Sequence, residues 1–328
     1  MNCKHRRPQA QQPDPARRLH LNRLALAVAL ALGGTSPWVL AQALPSGASV
    51  VQGQASIVTQ GQQMTISNSA NAVLNWQSFS IGAGSSVRFE QPSASSQVLN
   101  RVLGRDATQI AGRLSSNGGV WLVNPYGVMF GPGARVDVAN LVASTLNISD
   151  ADWQARRYSL LGGPGAGAVT NQGEIRTTLG GHVLLVGGSV GVRNEGLIEA
   201  DGGQVMLAAG ASVDLADSST PQVAVRLTAP AGEAMNLGRI LAAGGRVDLQ
   251  AAMVNQQGIV RADQLAGGVG GKVNLVATEQ LSLAAGSRTS ADGGRGGEVV
   301  LQAATTLVAG AVSAEGRQGQ GGSVKILG

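Results

Sequence analysis

The residues best able to do chemistry are four acids in one stretch, Glu174, Glu195, Glu199 and Asp201, and one histidine, His182. Carboxylates brought onto a single face could act as acid and base, as they do in β-helical enzymes that degrade polysaccharides. Arginines stand at similar offsets, among them Arg176 and Arg193. That pattern favours solvated charge pairs over a catalytic set. His182 is the only histidine beyond residue 20, and the single cysteine is Cys3. A His/Cys metal centre therefore has no ligand set, a Ser-His-Asp arrangement has no support, and no cofactor is expected. Two glycine-rich turns, Gly267-Gly268-Val269-Gly270-Gly271-Lys272 and Ala291-Asp292-Gly293-Gly294-Arg295-Gly296-Gly297, invite phosphate or calcium readings. Lys272 is followed by Val273, where a phosphate loop needs Ser or Thr, and the regular Asp of a calcium-binding nonapeptide is absent.

Those glycines belong to a repeat. Asn-x-Gly-x-Ile is followed after a few residues by Gly-Gly-x-Val-x-Leu, as in Asn194-Glu195-Gly196-Leu197-Ile198 with Gly202-Gly203-Gln204-Val205-Met206-Leu207. The Gly-Gly pairs recur about every 22 residues and later about every 25, with one step of about 42 that reads as a lost copy. Val and Leu alternate with polar or small residues, which predicts strands with one buried face. Glycine supplies positive φ, and Asn tolerates the left-handed region at the turns between them. Short strands at this period predict an all-β fold, a single-stranded parallel β-helix with an aliphatic ladder inside and an Asn ladder at a corner. Roughly 13 coils fit beyond residue 43, a rod of roughly 60 Å. Residues 150–158 and 162–167 read as an excursion between a less regular first part, 44–150, and regular repeats, 169–328, within one continuous domain.

The N-terminus reads as a secretory signal over residues 1–43. Lys4, Arg6, Arg7, Arg17, Arg18 and Arg23 precede the apolar run 24–32, and Ala41-Gln42-Ala43 offers a cleavage site. Removing it leaves 18 basic and 18 acidic residues and no cysteine. The basic character belongs to the leader, so the mature chain carries no charge signature for nucleic acid. Its stability cannot rest on disulfides.

The segment before the clear repeats is more specific. It contains Val73-Leu74-Asn75-Trp76-Gln77-Ser78-Phe79, then Val87-Arg88-Phe89-Glu90-Gln91-Pro92-Ser93-Ala94, and then Val120-Trp121-Leu122-Val123-Asn124-Pro125-Tyr126-Gly127-Val128-Met129-Phe130. Trp76, Phe79, Phe89, Trp121 and Phe130 could form a binding face; the core of an N-terminal cap is the favoured reading. Asn124-Pro125-Tyr126-Gly127 is also a good β-turn in its own right.

Together these stretches resemble the secretion domain of two-partner secretion exoproteins, the filamentous haemagglutinin N-terminal family. That family's Asn-Pro-Asn-Gly-Ile hallmark falls on Asn124, Pro125, Tyr126, Gly127 and Val128, with Tyr and Val as departures. The nearest counterpart of its second motif is Gln91, Pro92, Ser93 and Ala94. The resemblance implies a right-handed β-helix with an N-terminal cap, exported by the Sec machinery. It also implies recognition in the periplasm by an outer-membrane transporter of the Omp85 class through its POTRA domains. The expected protein is the non-enzymatic secretion module of a large surface adhesin, whose missing downstream regions would meet host-cell or surface receptors. The carrier part of a contact-dependent toxin is a second reading. A polysaccharide-degrading enzyme using Glu199 or Asp201 is a third. The sequence stops within another repeat, at Gly321-Gly322-Ser323-Val324-Lys325-Ile326-Leu327-Gly328, and reads as truncated.

Overall fold

A computed structural model describes residues 44–163, 166–216, 224–264 and 267–328. The basic leader and the Ala41/Ala43 cleavage site lie outside the described residues.

The short β-branched runs fold as strands, three to a coil. One circuit comprises Val169–Asn171, Glu174–Thr177 and His182–Gly187; the next comprises Val192–Asn194, Leu197–Glu199 and Gln204–Ala216. Equivalent strands pair in parallel, with Val169 opposite Val192, Ile175 opposite Ile198 and Val183 opposite Val205. The product is a parallel β-helix with three faces. On the third face the Val-x-Leu phrase points inward, so that Val183, Val205, Val247, Val273 and Val299 stack in one column. Leu185, Leu207, Leu249, Leu275 and Leu301 form another, and both columns are buried. Each such side chain contributes about 1.5–3 kcal/mol on leaving water.

The asparagines form the expected ladder. Asn171 Nδ2 donates to Asn194 Oδ1 at 2.8 Å, Asn194 Nδ2 to Asn236 Oδ1 at 2.8 Å, and Asn236 Nδ2 to Gln256 Oε1 at 2.7 Å. All four residues are fully buried, and the ladder satisfies amides that would otherwise be costly inside the tube.

The glycine pairs correct the sequence reading. The first glycine can supply positive φ, as Gly202 does at +65°, but the second is required for close approach between coils. A Cβ on Gly203 would lie 1.8 Å from the carbonyl oxygen of Gly181, one coil earlier, and one on Gly297 would lie 2.0 Å from that of Gly271.

The coil count is corrected too. Ten strands stack on the third face, from Ala72–Trp76 to Ser323–Leu327, and not 13. The step of 42 residues hides no lost copy, because Gln204 pairs directly with Arg246. The additional residues leave the tube. The outer half of Gln204–Ala216 pairs antiparallel with Ala224–Pro230 and with Tyr158–Leu161.

This excursion creates a second core outside the tube. The outward column of the third face runs Val73, Leu99, Trp121, Val142, Leu184 and Met206, and it is buried beneath Trp153, Leu160, Val213 and Leu215. Trp121 therefore sits here and not in the cap. Its ring lies 5.3 Å from Trp153 and 5.1 Å from Tyr158. The column ends at Asp248, next in register after Met206. That buried carboxylate accepts hydrogen bonds from Gln204 Nε2 at 2.9 Å, Asn274 Nδ2 at 2.7 Å and Arg246 Nε at 2.7 Å.

At the opposite end, strands Ser49–Gln52 and Ala55–Gln60 pair antiparallel with Ala72–Trp76 and Gln63–Asn68. Trp76, Phe79 and Phe89 fill the tube beside them, with ring centroids 5.3 and 6.4 Å apart in succession.

Candidate functional site

Asn124 follows the last residue of Gly119–Val123, at the corner where the third face turns into the next coil. Its side chain is fully buried. Oδ1 accepts from the Tyr126 backbone N–H at 3.0 Å, while Nδ2 donates to Asp106 O and Thr108 Oγ1, each at 3.0 Å. The Gly127 N–H donates to Asn124 O at 3.0 Å and closes the β-turn. Gly127 sits at φ +123°, a conformation that disfavours any side chain. Pro125 O accepts from the Gly167 N–H at 2.8 Å. Val128 is buried, in register between Thr108 and Val169. Four of the five residues are thus committed to the corner, and Tyr126 is presented to solvent at 48% exposure.

Gln91, Pro92, Ser93 and Ala94 form a turn at a different corner, between Ser86–Glu90 and Gln97–Val102. Gln91 is buried and donates through Nε2 to Gly119 O at 2.9 Å and Ser116 Oγ at 3.0 Å. Pro92, Ser93 and Ala94 are exposed. The fold keeps the two motifs on separate corners and does not merge them into one site.

The acids form charge ladders on the outside of the tube. Arg135 Nη1 lies 2.7 Å from Glu174 Oε2, and Arg176 bridges Glu174 and Glu199, reaching Glu199 Oε2 at 2.8 Å. The Glu199 hydrogen bond raises the Arg176 pKa. Glu195 is held below the usual carboxylate range by the Gln172 amide and the Arg193 guanidinium. Asp201 Oδ1 accepts the Ala243 N–H at 3.1 Å. No two of these acids face one another across a cleft as an acid and base would. Among the described residues no cluster of His, Cys, Asp and Glu could hold a metal ion. Burial lowers the His182 pKa.

One later ladder yields a pH prediction. Glu298 lies between Lys272 at 2.6 Å and Lys325 at 2.7 Å, which pull its pKa from 4.5 to about 2. A carboxylate with a depressed folded pKa stabilises the fold above its unfolded pKa, and that contribution is lost as pH falls through the folded value. Acid denaturation of Glu298→Gln should therefore show a shallower loss of stability between about pH 4.5 and about 2 than the parent chain.

The second core, and a furrow beside it lined by Trp121, Tyr158, His182 and Arg156, were not recognised from sequence. A signal for them exists. Gly119–Val123 and His182–Gly187 are apolar at nearly every position and buried on both faces, whereas Arg246-Val247-Asp248-Leu249-Gln250 alternates.

A three-faced β-helix with antiparallel strands at its first coils, a corner built on buried Asn124 and externally neutralised acids defines a capped β-helical module. The TPS secretion domain model matches residues 41–241, more than half of the chain, and the chain belongs to that family. Its fold matches the HMW1 secretion domain from Haemophilus influenzae at a TM-score of 0.74 and 27% identity, covering 85% of this chain and 94% of that one. The filamentous hemagglutinin secretion domain matches at 0.53 and 17%, covering 86% and 100%, a likeness of fold alone. A heme/hemopexin-binding protein of H. influenzae is 41% identical over 129 residues, which are 39% of this chain and 14% of that protein. The chain thus spans a small part of the curated relative it matches. It is the N-terminal two-partner secretion module of a secreted, surface-associated exoprotein, and its partner is an outer-membrane transporter. Among the described residues no helix is long and apolar enough to cross a membrane.

Proposed function

We propose that the chain leaves the cytoplasm through the Sec machinery on the 1–43 leader, with cleavage after Ala41-Gln42-Ala43. Still unfolded, it then engages the POTRA domains of an Omp85-class transporter. The observation that carries this reading is the way the coils pair, since along the tube the strands of a face bond in parallel to their counterparts one coil before and after. A solenoid of this kind folds from the first segment to emerge, each coil templating the next. Burial of the aliphatic columns outside the cell opposes backsliding without an energy source in the outer membrane. The first strands, Ser49–Gln52 and Ala55–Gln60, are short and mostly exposed, and they suit strand addition to a POTRA sheet edge.

The module serves a large non-enzymatic adhesin whose further regions meet host-cell or surface receptors. The 41% identity to a heme/hemopexin-binding protein favours haem or hemopexin as a second class of target for those regions. No comparable observation favours a contact-dependent toxin or a polysaccharide-degrading enzyme.

Within the module, Tyr126 is the motif residue whose side chain the folded corner does not use, so its replacement separates a contact made by the unfolded chain from a loss of folding. Tyr126→Ala should keep folding stability within about 0.5 kcal/mol and lower secreted yield severalfold when the partner transporter is co-expressed. Asn124→Ala should cost about 2–3 kcal/mol, because it leaves the Tyr126 N–H and the buried Thr108 hydroxyl unpaired. Secretion unchanged by Tyr126→Ala would remove that residue from recognition. Export undiminished after deletion of the transporter would sink the whole reading.

A further inference from the structure

The excursion and the third face enclose a furrow of about 520 Å³ whose wall includes Trp121, Tyr158, His182 and Arg156. A neighbouring cavity of about 510 Å³ shares Asn71 and Arg156 with it, so Arg156 stands where two compartments meet. Among the described residues no carboxylate lines either one, and Arg156 has no ion pair with any of them. The His182 Nδ1 is buried and has no hydrogen-bond partner among them. The rim on the other side is made of hydroxyls, Ser93, Ser95 and Ser96, which touch one another at 3.0 Å.

Arg156 also occupies a position that its own backbone disfavours. The helix Asp150–Gln154 ends in a reverse turn, with the Arg156 N–H donating to Trp153 O at 3.1 Å and the Arg157 N–H to Asp152 O at 2.8 Å. This turn places Arg156 in the left-handed region at φ +54°, where glycine is normally found. Only three non-glycine residues have positive φ among those described, and two of them, Asn71 and Arg156, line this furrow. Strain held at a cavity wall points to function.

We propose that the furrow binds a carboxylate-bearing saccharide of at least two sugar units, its carboxylate on Arg156 and its hydroxyls on the serine rim. A guanidinium recognises a carboxylate by charge-assisted hydrogen bonds. The serine hydroxyls suit sugar hydroxyls, and the paired compartments suit more than one ring. This inference does not rest on the transporter reading, because it concerns the folded chain alone and is tested without the transporter.

The test is calorimetric titration of the purified folded chain with digalacturonate, with galactobiose and glutarate as comparators. Saturable binding is expected, at least about tenfold weaker for galactobiose and for glutarate. Arg156→Gly should weaken digalacturonate binding by at least about tenfold while its Tm equals or exceeds that of the parent, since glycine relieves the left-handed backbone. Three results would each overturn the proposal: no saturable binding of digalacturonate, equal affinity for glutarate, or unchanged affinity in Arg156→Gly. A lower Tm accompanying lost binding would assign Arg156 to structure and count against it equally.

Discussion

Gly203→Ala should destabilise the protein by about 3 kcal/mol or more, the upper range for a methyl forced into a packed interior. The added Cβ would meet the Gly181 carbonyl oxygen at 1.8 Å and its carbonyl carbon at 2.8 Å. Both are backbone atoms of the neighbouring coil, so no flexible side chain can move aside. Relief requires the two coils to separate, which weakens the parallel pairing of His182–Gly187 with Gln204–Ala216. Gly180→Ala is the natural control. Its Cβ would meet nothing within 4 Å, but φ is +79°, and the expected cost is only the left-handed penalty of about 1–2 kcal/mol. Urea denaturation of both variants checks the ranking. Equal costs would mean that the two coils part readily enough to admit a methyl, and that coil spacing does not keep glycine at the second position of the pair.

Trp153→Ala should cost about 3–5 kcal/mol, the range for removing a large aromatic from a packed core. Trp153 is 3% exposed and packs edge-on against Trp121. Its Nε1 donates to Asn71 O at 3.1 Å, joining the excursion to the first coil across 82 residues of sequence. Without it the second core loses its cover over Trp121, Leu184 and Met206. Hydrogen exchange should show the loss as local opening of 150–161 and 204–216, with little change in 272–302, because those later coils pair along the tube. A uniform loss of protection along the whole rod would show that tube and excursion unfold as one unit.

Much of the rod is legible locally. Alternation in Arg246-Val247-Asp248-Leu249-Gln250 is a property of five adjacent residues, and it suffices to put Val247 and Leu249 inside the tube. The stacking of Asn171 on Asn194 follows from the period alone, since residues one repeat apart must superpose in a coil; that of Asn236 directly on Asn194 does not, because 42 residues separate them. The Asn-Pro corner is legible as a turn and as a family motif. Its internal economy is not: that Asn124 is buried while Tyr126 faces solvent depends on Asp106 and Thr108, which come from the previous coil.

By itself the sequence determined the strands, their inward ladders and much of the amide column, because each depends on local alternation or on a fixed repeat, and it determined the family through its motifs. Tertiary structure alone decided the outer arrangement. Alternation says which side chains point out of the tube but not what covers them, and the cover over Leu99 and Trp121 arrives from residues 153–215. The same blindness to distance makes a 42-residue step look like a lost copy, although the additional residues build the excursion that buries the outer column. It also makes the paired glycines look like turn formers, when the second of each pair is held by the carbonyl of a neighbouring coil, as Gly203 is by Gly181.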